Sequence, residues 1–182
     1  MTNFERYGGG RIVVRPYDPT WPAAFDEERA HLQDVLGSTA VAIEHVGSTA
    51  VPGLAAKPII DVAVGVHSLA EARSRCIEAL RGLAYIYMAQ YESWLPGEML
   101  FRKGSPGPWT HHAHVLERSS PRWDEYVLLR DYLRRHPEIA RAYADLKQGL
   151  ALVFDEDIAG YRNAKRPFLQ AVLTKARAEG VA

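Results

Sequence analysis

Two stretches of this 182-residue chain gather residue types that do chemistry. The first runs Ile43-Glu44-His45-Val46-Gly47-Ser48-Thr49 and on through Lys57-Pro58-Ile59-Ile60-Asp61-Val62. Gly47 lets a backbone approach a ligand closely. Ser48 and Thr49 offer hydroxyls and N–H groups to phosphate oxygens, and Lys57 adds a positive charge. Asp61 is the odd residue, a carboxylate among Ile59, Ile60, Val62 and Val64 that is costly to bury uncompensated. It calls for a metal, a cationic partner or an open cleft. A Gly/Pro turn with Asp61 paired to Lys57 or a nearby arginine accounts for the same residues.

The second stretch is Thr110-His111-His112-Ala113-His114-Val115. The period of two in a strand puts His112 and His114 on one face and His111 on the other. Two such imidazoles can share a metal or an anionic substrate. A solvated sheet face or a hydrogen-bonded histidine pair is the plainer alternative. Tyr161 and Lys165 stand one helical turn apart and meet on one surface. Arg102, between Phe101 and Lys103, is a candidate anion contact. Arg130, Arg134 and Arg135 beside Asp131 read as a solvated, salt-bridged face. A Walker-type phosphate loop, a dinucleotide fingerprint, a His-Glu-x-x-His pair and a nucleophile elbow are all missing from the sequence.

The elements that must position these residues divide the chain in two. The first half alternates: a strand over Arg11–Tyr17, a helix opened by Asp18-Pro19 and closed by Gly37, and a strand over Val41–Val46. The small-residue loop Gly47–Pro58 then leads to an almost wholly apolar strand, Ile59–Val66. Ser68 to Glu71 forms a capping box that opens a helix to about Arg81. Strands follow over Leu83–Ala89, Glu98–Arg102 and Thr110–Glu117, with a turn between Gly104 and Pro108. The second half is helical: one helix from Ser120-Pro121, a break at His136-Pro137, a second helix, and a third capped by Asp157. The pattern predicts an α+β fold, a mixed β-sheet with flanking helices followed by a C-terminal helical bundle. With no linker visible, 1–182 reads as one domain, 11–117 holding the sheet and 120–178 the helices.

Composition narrows the function classes. Lys plus Arg and Asp plus Glu number 22 each, so a nucleic-acid binder driven by bulk charge is excluded. The charge is unevenly placed, with 10 basic and 13 acidic residues up to Glu117 and 12 basic and 9 acidic from Arg118 onward. A surplus of +3 in the helical half suits a polyphosphate. The single cysteine, Cys76, rules out an intrachain disulfide and shares a helix face with Leu69, Ala72 and Leu80. No apolar run reaches the ~18 residues of a membrane span, and Met1–Arg11 lacks the apolar core of a signal peptide. The expectation is a cytoplasmic protein without a membrane role, a homodimer remaining an open option.

The chain closely resembles the GrpB family, placed in the nucleotidyltransferase superfamily. The resemblance runs from about Val13 to Ala176. It is carried by Tyr17-Asp18-Pro19-Thr20-Trp21, the block from Ile43 through Asp61, His112-Ala113-His114-Val115, Arg130-Asp131-Tyr132-Leu133-Arg134, Pro137, Tyr143, Leu146-Lys147, Tyr161 and Lys165. It implies a nucleotidyltransferase-like fold in which the Gly47-Ser48 turn meets the phosphates and Asp61 holds a catalytic metal; Thr49, Lys57, Arg102, Tyr161 and Lys165, candidates by residue type, would join in holding the nucleotide. The superfamily's second carboxylate is replaced by Ala63. His112 and His114, with Glu44 and His45 as further candidates, can stand in as ligands beside Asp61. The implied cofactor is then a divalent metal, Mg²⁺ or Mn²⁺, with Zn²⁺ also suited to such a set. The implied partner is a nucleoside triphosphate or another phosphorylated metabolite, with nucleotidyl transfer as the reaction. Two alternatives stand beside it: a binding module that has lost its metal centre, and a hydrolase built on a His/Asp-bound metal.

Overall fold

The computed structural model describes residues 11–104 and 108–180. Two helices and five strands come first: α1 (Trp21–Leu36), β1 (Ala42–Val46), β2 (Ile60–Val66), α2 (Leu69–Gly82), β3 (Tyr85–Tyr87), β4 (Glu98–Lys103) and β5 (His111–Glu117). Three helices follow, α3 (Pro121–Arg135), α4 (Pro137–Phe154) and α5 (Ile158–Ala178). This is the expected α+β class. No helix among the described residues is long and apolar enough to cross a membrane.

The strands form one mixed sheet in the order β1-β2-β5-β4-β3. Only β2 and β5 run parallel; the other pairs are antiparallel. The last strand in sequence is therefore the middle one in space. Its register sets Asp61 beside His112 and Ala63 beside His114. Alternation then sorts the side chains. Ile60, Val62, Val64, Met99, Phe101, Ala113 and Val115 join the core under α1 and α2. Asp61, Ala63, Glu98, Arg102, His112 and His114 belong to the opposite face, where Val46, Ala63 and Leu116 pack on Trp123 of α3.

α1 buries Trp21, Phe25, Leu32 and Leu36 along one stripe. α2 buries Ala72, Cys76 and Leu80, and its Ser68 cap accepts from Glu71 N. The C-terminal helices share a second core of Tyr132, Leu133, Ala140, Tyr143, Val172 and Ala176. Val51 and Leu54 of the Gly47–Pro58 loop, 1% exposed each, are packed into that core. The loop is thus a plug inserted between the two halves.

Three expected elements differ. Arg11–Tyr17 is no strand: Arg15 makes a two-bond bridge to Ala56 and the pairing ends at Pro16, which has no N–H to donate. The first helix starts at Trp21 rather than Pro19, because the Asp18 carboxylate accepts from Thr20 N (2.9 Å) and Thr20 Oγ1 (2.7 Å) and forms a turn. The Leu83–Ala89 strand shrinks to Tyr85–Tyr87, entered through Ala84 at φ 62°. The turn expected between Gly104 and Pro108 lies partly outside the described residues.

Candidate functional site

A cavity of about 350 Å³ opens between the sheet's C-terminal-helix face and helices α3, α4 and α5. That volume lies in the range of small-ligand sites. Its floor is built by neighbouring strands. Asp61 of β2 meets His112 Nδ1 at 3.1 Å and His114 Nε2 at 3.6 Å, both through Oδ1. One ligand atom from each of the three lies within 4.8 Å of the others. The separation that two residues of alternation and a parallel register allow is thus compatible with one shared ion.

The other side of His114 is braced. Its Nδ1 lies 2.5 Å from Glu98 Oε1, and Glu98 is fully buried. Tyr126 O–H donates to both Glu98 oxygens at 3.1 Å, and Arg122 Nε lies 3.5 Å from Oε2. A carboxylate accepting from one imidazole nitrogen turns the other toward the cavity, the arrangement that orients metal-ligating histidines. Burial works against charge on His114, but Glu98 and Asp61 outweigh it and raise its pKa to about 9. Burial dominates at His112 and lowers it to about 4 despite Asp61. Burial also opposes charge on Asp61, yet the hydrogen bonds of His112 and then His114 hold its carboxyl far below the usual range.

The roof is cationic. Lys57 comes from the loop, Lys147 from α4, Lys165 and Arg162 from α5, Arg102 from β4 and Arg130 from α3. Two ammonium groups lie over the Tyr161 ring, Lys57 Nζ at 4.5 Å and Lys165 Nζ at 4.4 Å from its centre. Burial lowers Lys57 to about 7, reinforced by Lys165, and lowers Lys165 to about 8. Lys147 is 2% exposed, lies 4.5 Å over Tyr143 and donates to the Ala55 carbonyl. Burial and Lys165 bring it to about 7. Lysines whose charge burial holds back in this way are poised to take up protons when an anion enters.

The Gly-Ser turn sits at the edge of the floor. Gly47 has φ 71°, and a Cβ there would collide with Asp61 Oδ2. Ser48 meets the Tyr143 hydroxyl, while Thr49 is buried with its Oγ1 3.0 Å from His45 Nε2. His45 itself points to the opposite sheet face, stacked on Phe25 at 4.7 Å, so it stands apart from the Asp61 cluster. Glu44 is bound by Arg130 Nη1 at 2.6 Å and is likewise outside the three-residue set.

The salt-bridged face read at Arg130, Arg134, Arg135 and Asp131 is present, with Arg134 and Arg135 exposed and Asp131 paired to Arg130 and Arg134, but Arg130 departs from it. The Arg130 side chain is 10% exposed and its Nη1 also donates to His45 O, while Arg134 Nε donates to Ala50 O at 2.9 Å. With Lys147 on Ala55 O, cations of α3 and α4 clamp the loop by its carbonyls. Sequence reasoning also missed Glu98, Tyr126 and Lys147 as parts of the site. A usable signal existed for Lys147: Tyr143 and Lys147 repeat the four-residue spacing of Tyr161 and Lys165.

Comparison with known proteins is consistent along the chain. Residues 11–175 match the family described as "GrpB protein". The "UPF0157 protein YqkA" of Bacillus subtilis (strain 168) is 37% identical over 177 residues, 97% of this chain. The chain spans about half of that relative's length, the match covering 50% of it. The crystal structure of conserved protein GrpB from Enterococcus faecalis superimposes with a TM-score of 0.84 at 33% identity, covering 93% of this chain and 100% of that one. A protein named dephospho-CoA kinase from Mycolicibacterium paratuberculosis (strain ATCC BAA-968 / K-10) is 29% identical over 190 residues, 91% of this chain and 46% of that protein.

Proposed function

The chain belongs to the GrpB family, and from its cavity we propose that it binds a nucleoside triphosphate, or a closely related phosphorylated metabolite, together with a divalent metal and transfers the nucleotidyl group. The observation that carries this reading is the pairing of a buried cationic roof, Lys57, Lys147, Lys165 and Arg102, with the Asp61–His112–His114 floor in one cavity. The likeness of the chain to a segment of a protein named dephospho-CoA kinase supports a phosphorylated ligand.

The donor set fits a metal. Asp61, His112 and His114 offer one carboxylate and two imidazoles, and Glu98 fixes the second nitrogen of His114. Imidazole donors favour Mn²⁺ or Zn²⁺ over Mg²⁺, which prefers an all-oxygen shell. A metal held there supplies Lewis-acid polarisation of a phosphoryl oxygen. The chain's own groups do the rest. Lys57 and Lys165, both over the Tyr161 ring, neutralise phosphate charge. Gly47 leaves the room beside Asp61 that any side chain would fill. Arg102, reaching in from β4, adds a buried guanidinium to the same cationic set.

One observation favours a second reading. Ala63, where the superfamily's second carboxylate would stand, is fully buried in the cluster with Trp123 and offers no ligand atom. A non-catalytic binding module would keep the phosphate contacts and lose only the chemistry. The deciding experiment measures thermal shifts and pyrophosphate release with each nucleoside triphosphate, with and without Mn²⁺, on the wild type and Asp61→Asn. A ligand at 100 times its Kd stabilises by about 2.7 kcal/mol. A metal-dependent shift with pyrophosphate release, both lost in Asp61→Asn, supports transfer. A metal-independent shift kept in the variant supports the module. Release of inorganic phosphate from a phosphomonoester with no triphosphate present would point to the hydrolase instead.

A further inference from the structure

The chain has four tryptophans, and three of them, Trp21, Trp109 and Trp123, are buried. Trp94 is 57% exposed. An indole left so open forgoes much of the stabilisation its burial would bring. It is nonetheless held in place. The Arg162 guanidinium lies 4.7 Å from its ring centre, and Tyr91 meets it edge-on at 6.3 Å. Tyr91 is in turn covered by Arg102 at 4.8 Å.

These neighbours locate Trp94 relative to the cavity. Arg102, Tyr91, Leu95 and Arg162 all line it. Leu95 follows Trp94 directly and packs with Leu100 against Met88 and Tyr91, making this end apolar and aromatic. The same cavity is lined by Lys57, Lys147, Tyr161 and Lys165, so Trp94, next to its lining residues Leu95 and Arg162, stands beside a space that holds both aromatic and ammonium groups.

We infer that Trp94 is a stacking platform at the cavity rim for the planar heteroaromatic ring of the ligand, the base of a nucleotide whose phosphates reach the lysines. This rests on the proposed reading of the cavity as a phosphate site and adds what that reading lacks, a group that tells a nucleotide from a bare polyphosphate. A stacked aromatic accepts any base through its π-face, so the platform discriminates nucleotides as a class rather than one base from another. Arg162 braces the indole from one side and keeps its open face presented, which limits the ordering cost of binding.

The test uses adenosine triphosphate and inorganic tripolyphosphate as paired probes on the full chain, with equal Mn²⁺. With three tryptophans buried, neutral acrylamide quenches chiefly Trp94. Adenosine triphosphate should shield that fluorescence and tripolyphosphate should not. Trp94→Ala should weaken adenosine triphosphate about tenfold or more while leaving tripolyphosphate within twofold, and Trp94→Phe should recover most of the loss. A melting curve matching the wild type confirms that the variants fold. Equal affinity of Trp94→Ala and wild type for adenosine triphosphate, or no shielding, overturns the platform while tripolyphosphate binding leaves the phosphate reading standing. If neither probe binds the wild type, the phosphate reading falls and the platform with it.

Discussion

The lysines give the site a proton signature that calorimetry can read. At pH 8, Lys57 with a pKa of about 7 is about nine-tenths neutral, and Lys165 at about 8 is half neutral. A phosphate group bound beside them, in metal-free tripolyphosphate, returns both toward their ordinary value near 10.5 and takes up about 1.4 protons, and Lys147, also near 7 and lining the same cavity, adds up to about 0.9. The assay is titration calorimetry at pH 8 in two buffers of different ionisation enthalpy, where the difference in apparent heat counts the protons. Lys165→Met removes its own half proton. It also removes a charge that depresses Lys57 and Lys147, so uptake should fall by more than about half a proton. Adding Mn²⁺ afterwards should act in the opposite sense. His114, raised to about 9, is mostly protonated at pH 8 and must give up about one proton to become a ligand. Binding of tripolyphosphate with no proton uptake at pH 8, or with the same uptake in Lys165→Met, would refute the reasoning.

Four further outcomes are expected. Glu98→Gln should weaken Mn²⁺ binding by 10- to 100-fold in a metal titration, with the fold retained, because it removes the carboxylate that orients His114. Gly47→Ala should destabilise the chain by about 1–3 kcal/mol in denaturant unfolding and abolish metal binding, since its Cβ collides with Asp61 at a positive φ. Arg134→Met should release the Ala50 carbonyl and raise hydrogen exchange in the 47–58 loop above that of the sheet. His45 and His112, both near 4 when folded and 6.5 when unfolded, bind fewer protons in the folded state between those values. Stability should therefore fall as pH drops from 6.5 to 4, with these two adding up to about 2.7 kcal/mol per pH unit to the slope seen in unfolding titrations.

What the sequence made legible follows from locality. The alternation His112-Ala113-His114 places two imidazoles on one face whatever else the chain does, and Asp61 announces itself by standing among aliphatics. The Ser68, Ser120 and Asp157 caps depend only on residues three positions away, and all three accept the expected N–H. Glu98 was invisible as a partner because its meeting with His114 depends on the β4–β5 register, set over 16 residues and a turn. Lys147 sits on a helix where any lysine reads as solvent-facing, and only the plug loop buries it. Arg130 looked like part of a charged surface for the same reason. The carbonyls that it and Arg134 hold, His45 O of β1 and Ala50 O of the loop, lie more than 80 residues earlier. The Arg11–Tyr17 strand failed for want of a partner, which local pattern cannot supply.

The insertion of Val51 and Leu54 among the C-terminal helices bears on how the molecule comes into being. Residues 47–58 leave the ribosome long before α3, α4 and α5, yet their apolar anchors pack among those three helices. A nascent sheet half must hold that loop open until the last helices arrive, so the cavity is among the last features to form. The contacts that complete it span much of the chain, and closing them is the slow, entropically expensive part of folding. Cutting the chain near Ser120 should therefore give not a weaker binding protein but a sheet with an unsealed side, exposing Val51, Leu54 and the Trp123-facing surface to association with other chains.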